Sequence, residues 1–251
     1  MIAAPIHLGA DRLMLDPAGA LFWPKHRLLA VSDLHLEKGS SFARRGMLLP
    51  PWDTEVTLDR LALLLHRYRP EIVVTIGDSF HDRDAATRLP AAQAARIRAM
   101  TAASRFVWVL GNHDPVPAEA LGGEWVDEFA AGNIIFRHQA HPREPGARYN
   151  AMTVGEICGH HHPKAAIAIR GGVQTRPCFV ADPHRLMLPA FGAYTGGLNV
   201  THPEILRLFP RGGRVFLLGR ERLFSFPLAR AGAHGTAETA ALPITSFGAE
   251  S

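Results

Sequence analysis

The sequence has few cysteines and no long apolar run, and both absences narrow the class of protein. Two cysteines, Cys158 and Cys178, occur among 251 residues, which is too few for a disulfide framework and suits a reducing cytosol. No stretch reaches the roughly 18 consecutive apolar residues of a membrane span. Residues 1–24 lack the basic and apolar segments of a secretory signal. We therefore predict a soluble, cytoplasmic protein.

Lysine is also scarce, since Lys25, Lys38 and Lys164 are the only lysines among 27 basic residues. The remaining arginines are typical of a GC-rich genome and also of proteins that grip phosphate through guanidinium groups. We favour the first explanation for most of them, because a net charge of +4 is too small to indicate nucleic-acid binding by itself. With 47% hydrophobic residues, the chain can form one domain or two small ones.

Apolar runs alternate with helical patterns in the first half of the chain. Residues 28–32, 71–76 and 105–110 predict short buried strands. Residues 54–68 have apolar groups at helical spacing, and residues 90–103 are rich in alanine, so both segments predict helices. The order strand, helix, strand, helix, strand indicates an α/β sheet, in which ligands bind at the carboxyl ends of the strands.

Short groups of aspartate, asparagine and histidine stand near the ends of the predicted strands. The groups are Asp33-Leu34-His35, Gly77-Asp78, Gly111-Asn112-His113-Asp114, His138 and Gly159-His160-His161-His162. Gly77 and Gly111 allow sharp turns, so that the next side chain can point at a common centre. Mixed oxygen and nitrogen donors suit Mn, Fe, Co or Zn. Two such ions bridged by a carboxylate, about 3.5–4 Å apart, form a site that hydrolyses phosphate esters.

Each group also has a simpler interpretation when it is taken alone. Asp33 and His35 could cap a helix, and Asn112 could favour a turn. Residues 160–162 could be an exposed run of histidines. The five groups together, in this order, favour the metal site.

After residue 123 the chain changes to short strands separated by loops rich in proline and glycine. The predicted strands are residues 124–127, 133–137, 152–157, 165–169 and 178–181. They indicate a second sheet that supplies His138 and residues 160–162. Two closing strands, residues 203–208 and 214–226, are expected around a turn at Gly212-Gly213.

The last part of the chain has a different composition. From about residue 229 the sequence is mainly alanine, glycine, threonine and serine. We therefore expect a domain at residues 1–228 and a flexible tail at residues 229–251. We find no internal repeat.

In their order, the polar groups resemble the motifs DxH, GD, GNHD, a lone H and GHxH of the calcineurin-like metallophosphoesterase superfamily. The matches span residues 33–162, over half of the chain. The resemblance implies an α/β fold built as a four-layer αββα sandwich, with two mixed β-sheets flanked by helices. It also implies two divalent metal ions, with manganese expected and iron, zinc, cobalt or magnesium as alternatives.

The resemblance further implies a role for each matching residue. The implied ligands are Asp33, His35 and His162 for one metal, Asn112, His138 and His160 for the other, and Asp78 as a bridge between them. His113 would lie near a phosphate or leaving-group oxygen, with Asp114 orienting and charging it. A metal-bridging hydroxide would attack phosphorus in line.

The lone histidine has a competitor. His141 lies three residues after His138, but we prefer His138 because it directly follows a predicted strand. Gln139 stands where the superfamily often has glycine, which leaves the choice open. His161, the middle residue of GHxH, is expected to be a neighbour of the site and not a ligand.

Longer stretches resemble one branch of the superfamily, the bacterial DNA ligase-associated metallophosphoesterases. The stretches are residues 33–39, 45–54, 77–82 and 188–197, within a similarity that runs over most of residues 5–220. That branch is associated with an ATP-dependent DNA ligase, a large helicase and a nuclease of the metallo-β-lactamase fold. The resemblance therefore implies a phosphodiesterase or endonuclease that acts on DNA in repair. A homodimer is the default expectation for the oligomeric state.

Some residues around the motifs have two possible roles. Lys38, Arg44 and Arg45 could neutralise the phosphates of a substrate or could form a solvated basic loop. His81 could orient a metal ligand. Tyr194, in a glycine-rich loop, could stack on a base or sugar, or could be a core aromatic residue.

The favoured function is a metal-dependent phosphodiesterase that acts on nucleic acid. The alternative is a phosphomonoesterase or pyrophosphohydrolase for a nucleotide, phosphoprotein or lipid intermediate, and the same metal core would serve both. The intervals between predicted ligands are all under 50 residues, so no long insertion is expected to cap the cleft. A non-enzymatic module with a structural metal is a third possibility, but it would have no use for His113 and Asp114.

Overall fold

The computed structural model describes residues 2–142, 155–170, 172–228 and 242–243. Within these ranges, no helix is long and apolar enough to cross a membrane. The predicted tail at residues 229–251 lies outside the described residues, except for Leu242–Pro243, which pair with a strand of the main body.

The first sheet has seven strands in chain order, β1-β2-β3-β4-β5-β6-β7. The strands are β1 (Ala4–Leu8), β2 (Asp11–Leu15), β3 (Leu21–Trp23), β4 (Leu28–Ser32), β5 (Ile72–Ile76), β6 (Arg105–Val109) and β7 (Glu124–Val126). Neighbours from β1 to β4 are antiparallel, whereas neighbours from β4 to β7 are parallel. The parallel half contains the strands expected from the sequence, and its carboxyl ends share one edge.

Helices cover the outer face of this sheet. Among the described residues, the α-helices are α1 (Lys38–Ala43), α2 (Asp53–Tyr68), α3 (Ala85–Arg88), α4 (Ala91–Ala103) and α5 (Pro203–Leu206), of which α5 packs on the second sheet instead. The apolar residues of α2 recur at helical spacing, so Leu58, Leu61 and Leu64 are buried together and pack in one cluster with Val73 and Phe106 of the sheet. This packing fixes α2 and α4 against the strands that carry the polar motifs.

The second sheet has nine strands, in the order β16-β15-β14-β12-β13-β10-β9-β8, with β11 paired to β12. The strands are β8 (Glu128–Ala131), β9 (Ile134–Arg137), β10 (Gly155–Cys158), β11 (Lys164–Ile169), β12 (Gly172–Ala181), β13 (Arg185–Met187), β14 (Gly213–Leu218), β15 (Leu223–Leu228) and β16 (Leu242–Pro243). The sheet is mixed, because β10 is parallel to β9 and β13 while its other pairs are antiparallel.

The largest apolar cluster joins the two sheets. It combines Trp23 and Val74 of the first sheet with Phe136, Ile157 and Phe179 of the second. A further cluster on the far face of the second sheet includes α5. The two mixed sheets with their helices confirm the predicted α/β sandwich.

The prediction for residues 203–208 is wrong, because Pro203–Leu206 form the helix α5. The proline occupies the first turn, where no backbone donor is needed. In addition, the side chain of His202 accepts a hydrogen bond from the backbone N–H of Glu204. A turn does end at Gly212, whose backbone N–H donates to the carbonyl oxygen of Phe209 over 2.8 Å. The predicted strand 214–226 is instead two strands, β14 and β15, joined by a hairpin turn at residues 219–222. Gly213 belongs to β14.

A buried ion pair ties together the segments that follow β9 and α5. The guanidinium of Arg185, on β13, donates to the carboxylate of Glu156 on β10. It also donates to the carbonyl oxygens of His141 and of Leu208, the latter over 2.7 Å. Glu156 accepts in turn from the backbone N–H of His141 over 2.9 Å. The pair therefore fixes the chain just after His138.

Loss of one partner of this pair should destabilise the fold strongly. Arg185→Ala leaves the carboxylate of Glu156 buried without its main partner, so we expect the free energy of unfolding to fall by about 3–5 kcal/mol. Urea denaturation measures this loss. The control is Arg207→Ala, which removes an exposed pair with Glu204 and should cost under about 1 kcal/mol. Equal losses of stability in the two variants would show that the buried pair of Arg185 and Glu156 contributes no more than an exposed one.

Candidate metal centre

The two sheets bring the carboxyl ends of five strands to one place. In the first sheet, Ser32 at the end of β4 is level with Ile76 at the end of β5. In the second sheet, Arg137 at the end of β9 is level with Cys158 at the end of β10. The residues that follow these ends, and those after β6, are the polar groups of the sequence motifs, so parallel pairing assembles them.

One group of donors consists of Asp33, His35, Asp78 and His162, and its donor atoms all lie within 4.8 Å of one another. His162 Nε2 is 3.2 Å from Asp33 Oδ1 and 3.1 Å from His35 Nε2. His35 Nε2 is 3.9 Å from Asp78 Oδ2. Three of the four side chains are buried. Such a group could hold a metal ion.

A second group shares Asp78 and adds His138 and His160. His138 Nε2 lies 3.3 Å from Asp78 Oδ2 and 3.1 Å from His160 Nδ1. The amide oxygen of Asn112 is 3.0 Å from the same His138 nitrogen. Asp78 Oδ2 therefore faces both groups, which is the position that a bridging carboxylate needs.

The electrostatics of the site favour ionised carboxylates. Burial alone would raise the pKa of Asp33, but hydrogen bonding to His162 and the charges of His162 and His138 lower it below its usual range. Burial likewise opposes ionisation of Asp78, and the hydrogen bond and charge of His138 outweigh it and lower the pKa. Two buried carboxylates thus stay charged, which attracts cations.

The imidazoles of the two groups have different protonation preferences. Burial lowers the pKa of His35 to about 3 and that of His160 to about 4, so both rings are neutral and can donate a lone pair. Burial also acts against the charged form of His138, but its hydrogen bond to Asp78 raises the pKa to about 9. Binding of a divalent cation to His138 would therefore release this proton, because a metal ligand must be a neutral imidazole.

The backbone around the donors is held in an unusual conformation. Among the described residues, nine non-glycine residues have positive φ, and five of these are donors. These donors are Asp33 (φ 54°), His35 (44°), Asp78 (46°), His160 (71°) and His162 (47°). Residues in sparsely populated regions persist only where the surroundings impose them, typically at functional sites, at a cost of about 1–3 kcal/mol each.

Three motif glycines lie where no side chain fits. A Cβ on Gly77 would lie 2.1 Å from His138 Nδ1. A Cβ on Gly159 would lie 1.8 Å from Ser32 Oγ and 2.4 Å from Asp33 Oδ2, and a Cβ on Gly111 would lie 2.2 Å from the backbone nitrogen of Asp78. The sequence indicated that Gly111 permits a sharp turn. The structure shows that it also permits close approach of two loops that carry donors.

His113 and Asp114 are arranged differently from the expectation. His113 Nδ1 lies 2.8 Å from the carbonyl oxygen of His81, so this nitrogen carries a proton and donates it. The carboxylate of Asp114 accepts instead from the backbone N–H groups of Gly111, over 3.0 Å, and Phe80, over 3.1 Å. Burial, and then the charge of Asp78, raise the pKa of Asp114 to about 7. Asp114 thus positions backbone around the site, and His81 orients His113.

Four histidines around the site differ in burial and in contacts with the donors. His138 is buried within the donor groups, whereas the side chain of His141 is 68% exposed and lies beside Glu128. His161 is buried but belongs to neither group. His81 Nδ1 lies 3.4 Å from His35 Nδ1, and its ring stacks on that of His113 at 5.6 Å. The structure thus brings His138 into the donor groups and leaves His141 and His161 outside them.

Sequence reasoning missed the support of Asp33. The hydroxyl of Ser32 donates to Asp33 Oδ2, and the backbone N–H of His160 donates to both oxygens of the same carboxylate over 3.1–3.2 Å. Only the position of a serine directly before the DxH motif could have suggested the first contact. The second joins the two sheets and has no local signal.

Gly159→Ala should disrupt the centre without removing any donor. The added methyl group would overlap Ser32 Oγ and Asp33 Oδ2, so these donors or the loop must move. We expect manganese affinity to fall by at least about tenfold, the scale seen when groups that support metal ligands are lost. Calorimetric titration measures the affinity. Gly9→Ala is the control, because a Cβ there meets no atom within 4 Å and the φ of 58° means that the variant strains the backbone without contacting any donor. Unchanged affinity in Gly159→Ala would contradict the proposed steric role.

The sequence of the chain matches a known family model, and solved structures are similar to it. The family model for calcineurin-like phosphoesterases matches residues 26–189. The chain is similar to the crystal structure of the Pseudomonas putida nuclease MPE, with 31% identity over 88% of this chain and 99% of that one and a TM-score of 0.66. It is also similar to Yfce, a phosphoesterase from E. coli, with 14% identity over 80% of this chain and 99% of that one and a TM-score of 0.43.

No curated protein matches the chain. The family match covers more than half of the sequence and includes every donor described above. The chain therefore belongs to the calcineurin-like phosphoesterase family and is a metal-dependent phosphoric ester hydrolase.

Proposed function

We propose that this enzyme is a two-metal phosphodiesterase that cleaves DNA internally. The observation that carries the proposal is the position of Asp78 Oδ2, which faces two separate groups of donors, beside a histidine whose side chain is 41% exposed. Similarity to a protein described as a nuclease supports nucleic acid as the substrate class.

The residues present fit two divalent cations. Asp33, His35 and His162 would hold one, and Asn112, His138 and His160 the other, with Asp78 shared between them. Manganese is the ion that we propose, because mixed oxygen and imidazole donors suit it, as they also suit iron, cobalt or zinc. The cations, when bound, polarise the phosphate and make water more acidic.

His113 is the residue that we propose to exchange a proton with the substrate. Its Nδ1 is engaged by the carbonyl oxygen of His81, so the ring cannot rotate freely and Nε2 is left to face the site. That nitrogen lies 3.9 Å from Asp78 Oδ2, next to the point where the two donor groups meet. His113 can therefore hydrogen-bond a phosphate oxygen or assist departure of the leaving group.

The proposed setting is DNA repair. It is supported by the similarity of residues 33–39, 45–54, 77–82 and 188–197 to the DNA ligase-associated branch. An ATP-dependent DNA ligase, a helicase and a metallo-β-lactamase-fold nuclease are the corresponding functional partners. A cytoplasmic location and a homodimer complete this proposal.

A comparison of substrates tests the reaction class. Manganese-loaded enzyme is assayed on bis-p-nitrophenyl phosphate, on p-nitrophenyl phosphate, and on circular single-stranded and double-stranded DNA. We expect hydrolysis of the diester and cleavage of circular DNA, which has no end for an exonuclease. Activity confined to the monoester would reject the proposal in favour of a phosphomonoesterase. Chelation of the metal should abolish activity.

His113→Ala should separate metal binding from catalysis. None of the proposed ligands is removed, so we expect two metals per chain by elemental analysis. Turnover of the diester should fall about 10²–10⁴-fold, as for loss of a general acid. The matched control is His141→Ala, which removes an exposed histidine outside the donor groups and should keep normal turnover. Normal turnover in His113→Ala would remove this residue from the mechanism.

A further inference from the structure

A loop at residues 192–197 is fastened at both ends to the first donor group. At one end, the backbone N–H of Gly192 donates to the carbonyl oxygen of Asp33 over 3.0 Å. At the other end, Gly197 packs so closely on His162 that a Cβ there would lie 2.0 Å from the carbonyl oxygen. The middle of the loop must therefore lie at the rim of the metal centre.

Tyr194 stands in the middle of this loop. It is 46% exposed, so it is not the core aromatic residue that the sequence left possible. Its φ of 57° is a conformation that bulky residues rarely adopt. The residues on either side of Tyr194 hold the loop through hydrogen bonds. Ala193 N–H donates to Thr57 Oγ1 over 3.1 Å, and Thr195 Oγ1 donates to the carbonyl oxygen of Gly192 over 3.2 Å.

Two of the three lysines of the chain lie near the metal centre, Lys164 at this loop and Lys38 beside Phe42. Lys164 Nζ donates to the carbonyl oxygen of Thr195 over 2.9 Å, which places an ammonium group next to Tyr194. Lys38 Nζ lies 5.7 Å from the centroid of the Phe42 ring, and that ring lies 5.7 Å from the ring of His81. His81 in turn contacts the donor His35, so Lys38 lies on the side of the site formed by the first donor group.

The third lysine, Lys25, lies away from the metal centre. Lys25 Nζ pairs with Asp11 at 3.2 Å. It precedes β4 in the chain, whereas the donor Asp33 follows β4, so Lys25 lies at the opposite end of that strand. The rim therefore combines an exposed aromatic ring and two ammonium groups, the combination that binds single strands through stacking and phosphate contacts.

We propose that Tyr194, Lys38 and Lys164 form a subsite for the nucleotide next to the cleaved phosphate. The ring of Tyr194 stacks on an unpaired base, and the two lysines contact the adjoining phosphate. This inference rests on the proposed cleavage of DNA and adds which part of the strand is recognised. Since every base has a flat face, the subsite requires a base to be present and accessible but does not select its identity.

The test removes the ring of Tyr194 and the base of the substrate, first singly and then together, and compares the losses in kcat/KM. The substrate is a single-stranded oligonucleotide with one cleavable phosphodiester, its other linkages being blocked, and with an abasic residue placed in turn on either side. For wild-type enzyme, we expect kcat/KM to fall about 5- to 150-fold at one of these positions, the scale of one stacked base. Tyr194→Asn should reduce kcat/KM similarly on the intact strand. It should show little further loss on the abasic one.

The variants are chosen to separate stacking from folding. Asparagine tolerates the left-handed backbone of residue 194 better than most residues, so Tyr194→Asn removes the ring without adding strain. Tyr194→Phe keeps the ring and should retain base dependence and kcat/KM within about twofold. Leu63→Asn, at an exposed position on α2, is the control for a surface change. Wild-type enzyme alone also tests the subsite, because equal rates on intact and abasic strands overturn it.

Salt dependence provides the test of the lysines. Binding of the oligonucleotide is measured at several salt concentrations in the His113→Ala background, which slows cleavage. Loss of one phosphate contact should reduce the slope of log Kd against log salt by about 0.7 for a single strand. We expect this for Lys38→Gln and Lys164→Gln, and no change for Lys25→Gln. Equal slopes in all three variants would overturn the lysine contacts.

The outcomes distinguish this inference from the function on which it rests. If wild-type enzyme hydrolyses a small diester but leaves every oligonucleotide intact, the proposed function fails and the subsite fails with it. If wild-type enzyme cleaves the strand, and Tyr194→Asn retains the same base dependence, only the subsite is overturned.

Discussion

The junction between the two sheets at Asp33 is the constraint on which the rest of the site depends. Asp33 follows a strand of the first sheet, yet its carboxylate accepts from the backbone of His160, which follows a strand of the second. Gly159 leaves the space for this approach. Neither sheet has a complete set of donors, so the chemistry exists only where the sheets meet.

This dependence explains why stability and function are coupled around the centre. The apolar cluster between the sheets holds them at a fixed distance, and five donors have backbone conformations that cost free energy. Two buried, ionised carboxylates also lie close together, because His138 is within 3.7 Å of Asp33 and within 3.3 Å of Asp78. A bound cation offsets part of that cost by neutralising charge, because ions that bind only the native state stabilise it.

Much of the site could be predicted because its residues are local to strand ends. Each short motif follows an apolar run, and parallel pairing brings such ends together, so the groups around Asp33 and Asp78 could be recognised before any coordinates. The helices α2 and α4 were equally clear, since spacing or composition marks them. The hairpin-rich start of the chain, β1 to β3, was not identified from the sequence.

What could not be predicted depends on contacts between residues far apart in the chain. The bond from Phe80 N–H to Asp114 spans 34 residues, and nothing near either residue indicates it. The sequence suggested that Asp114 orients His113, whereas a backbone carbonyl does so. The helix α5 was mistaken for a strand because a four-residue element is too short for its periodicity to be read.

The scarcity of lysine has a practical consequence for chemical work on this protein. Two of its three lysines lie near the metal centre, while the many arginines elsewhere carry no reactive amine. A reagent that modifies amines would therefore label the protein at very few side chains, most of them beside the site. Ordinary lysine chemistry could attach a fluorophore or crosslinker near the active centre without the introduction of a new residue.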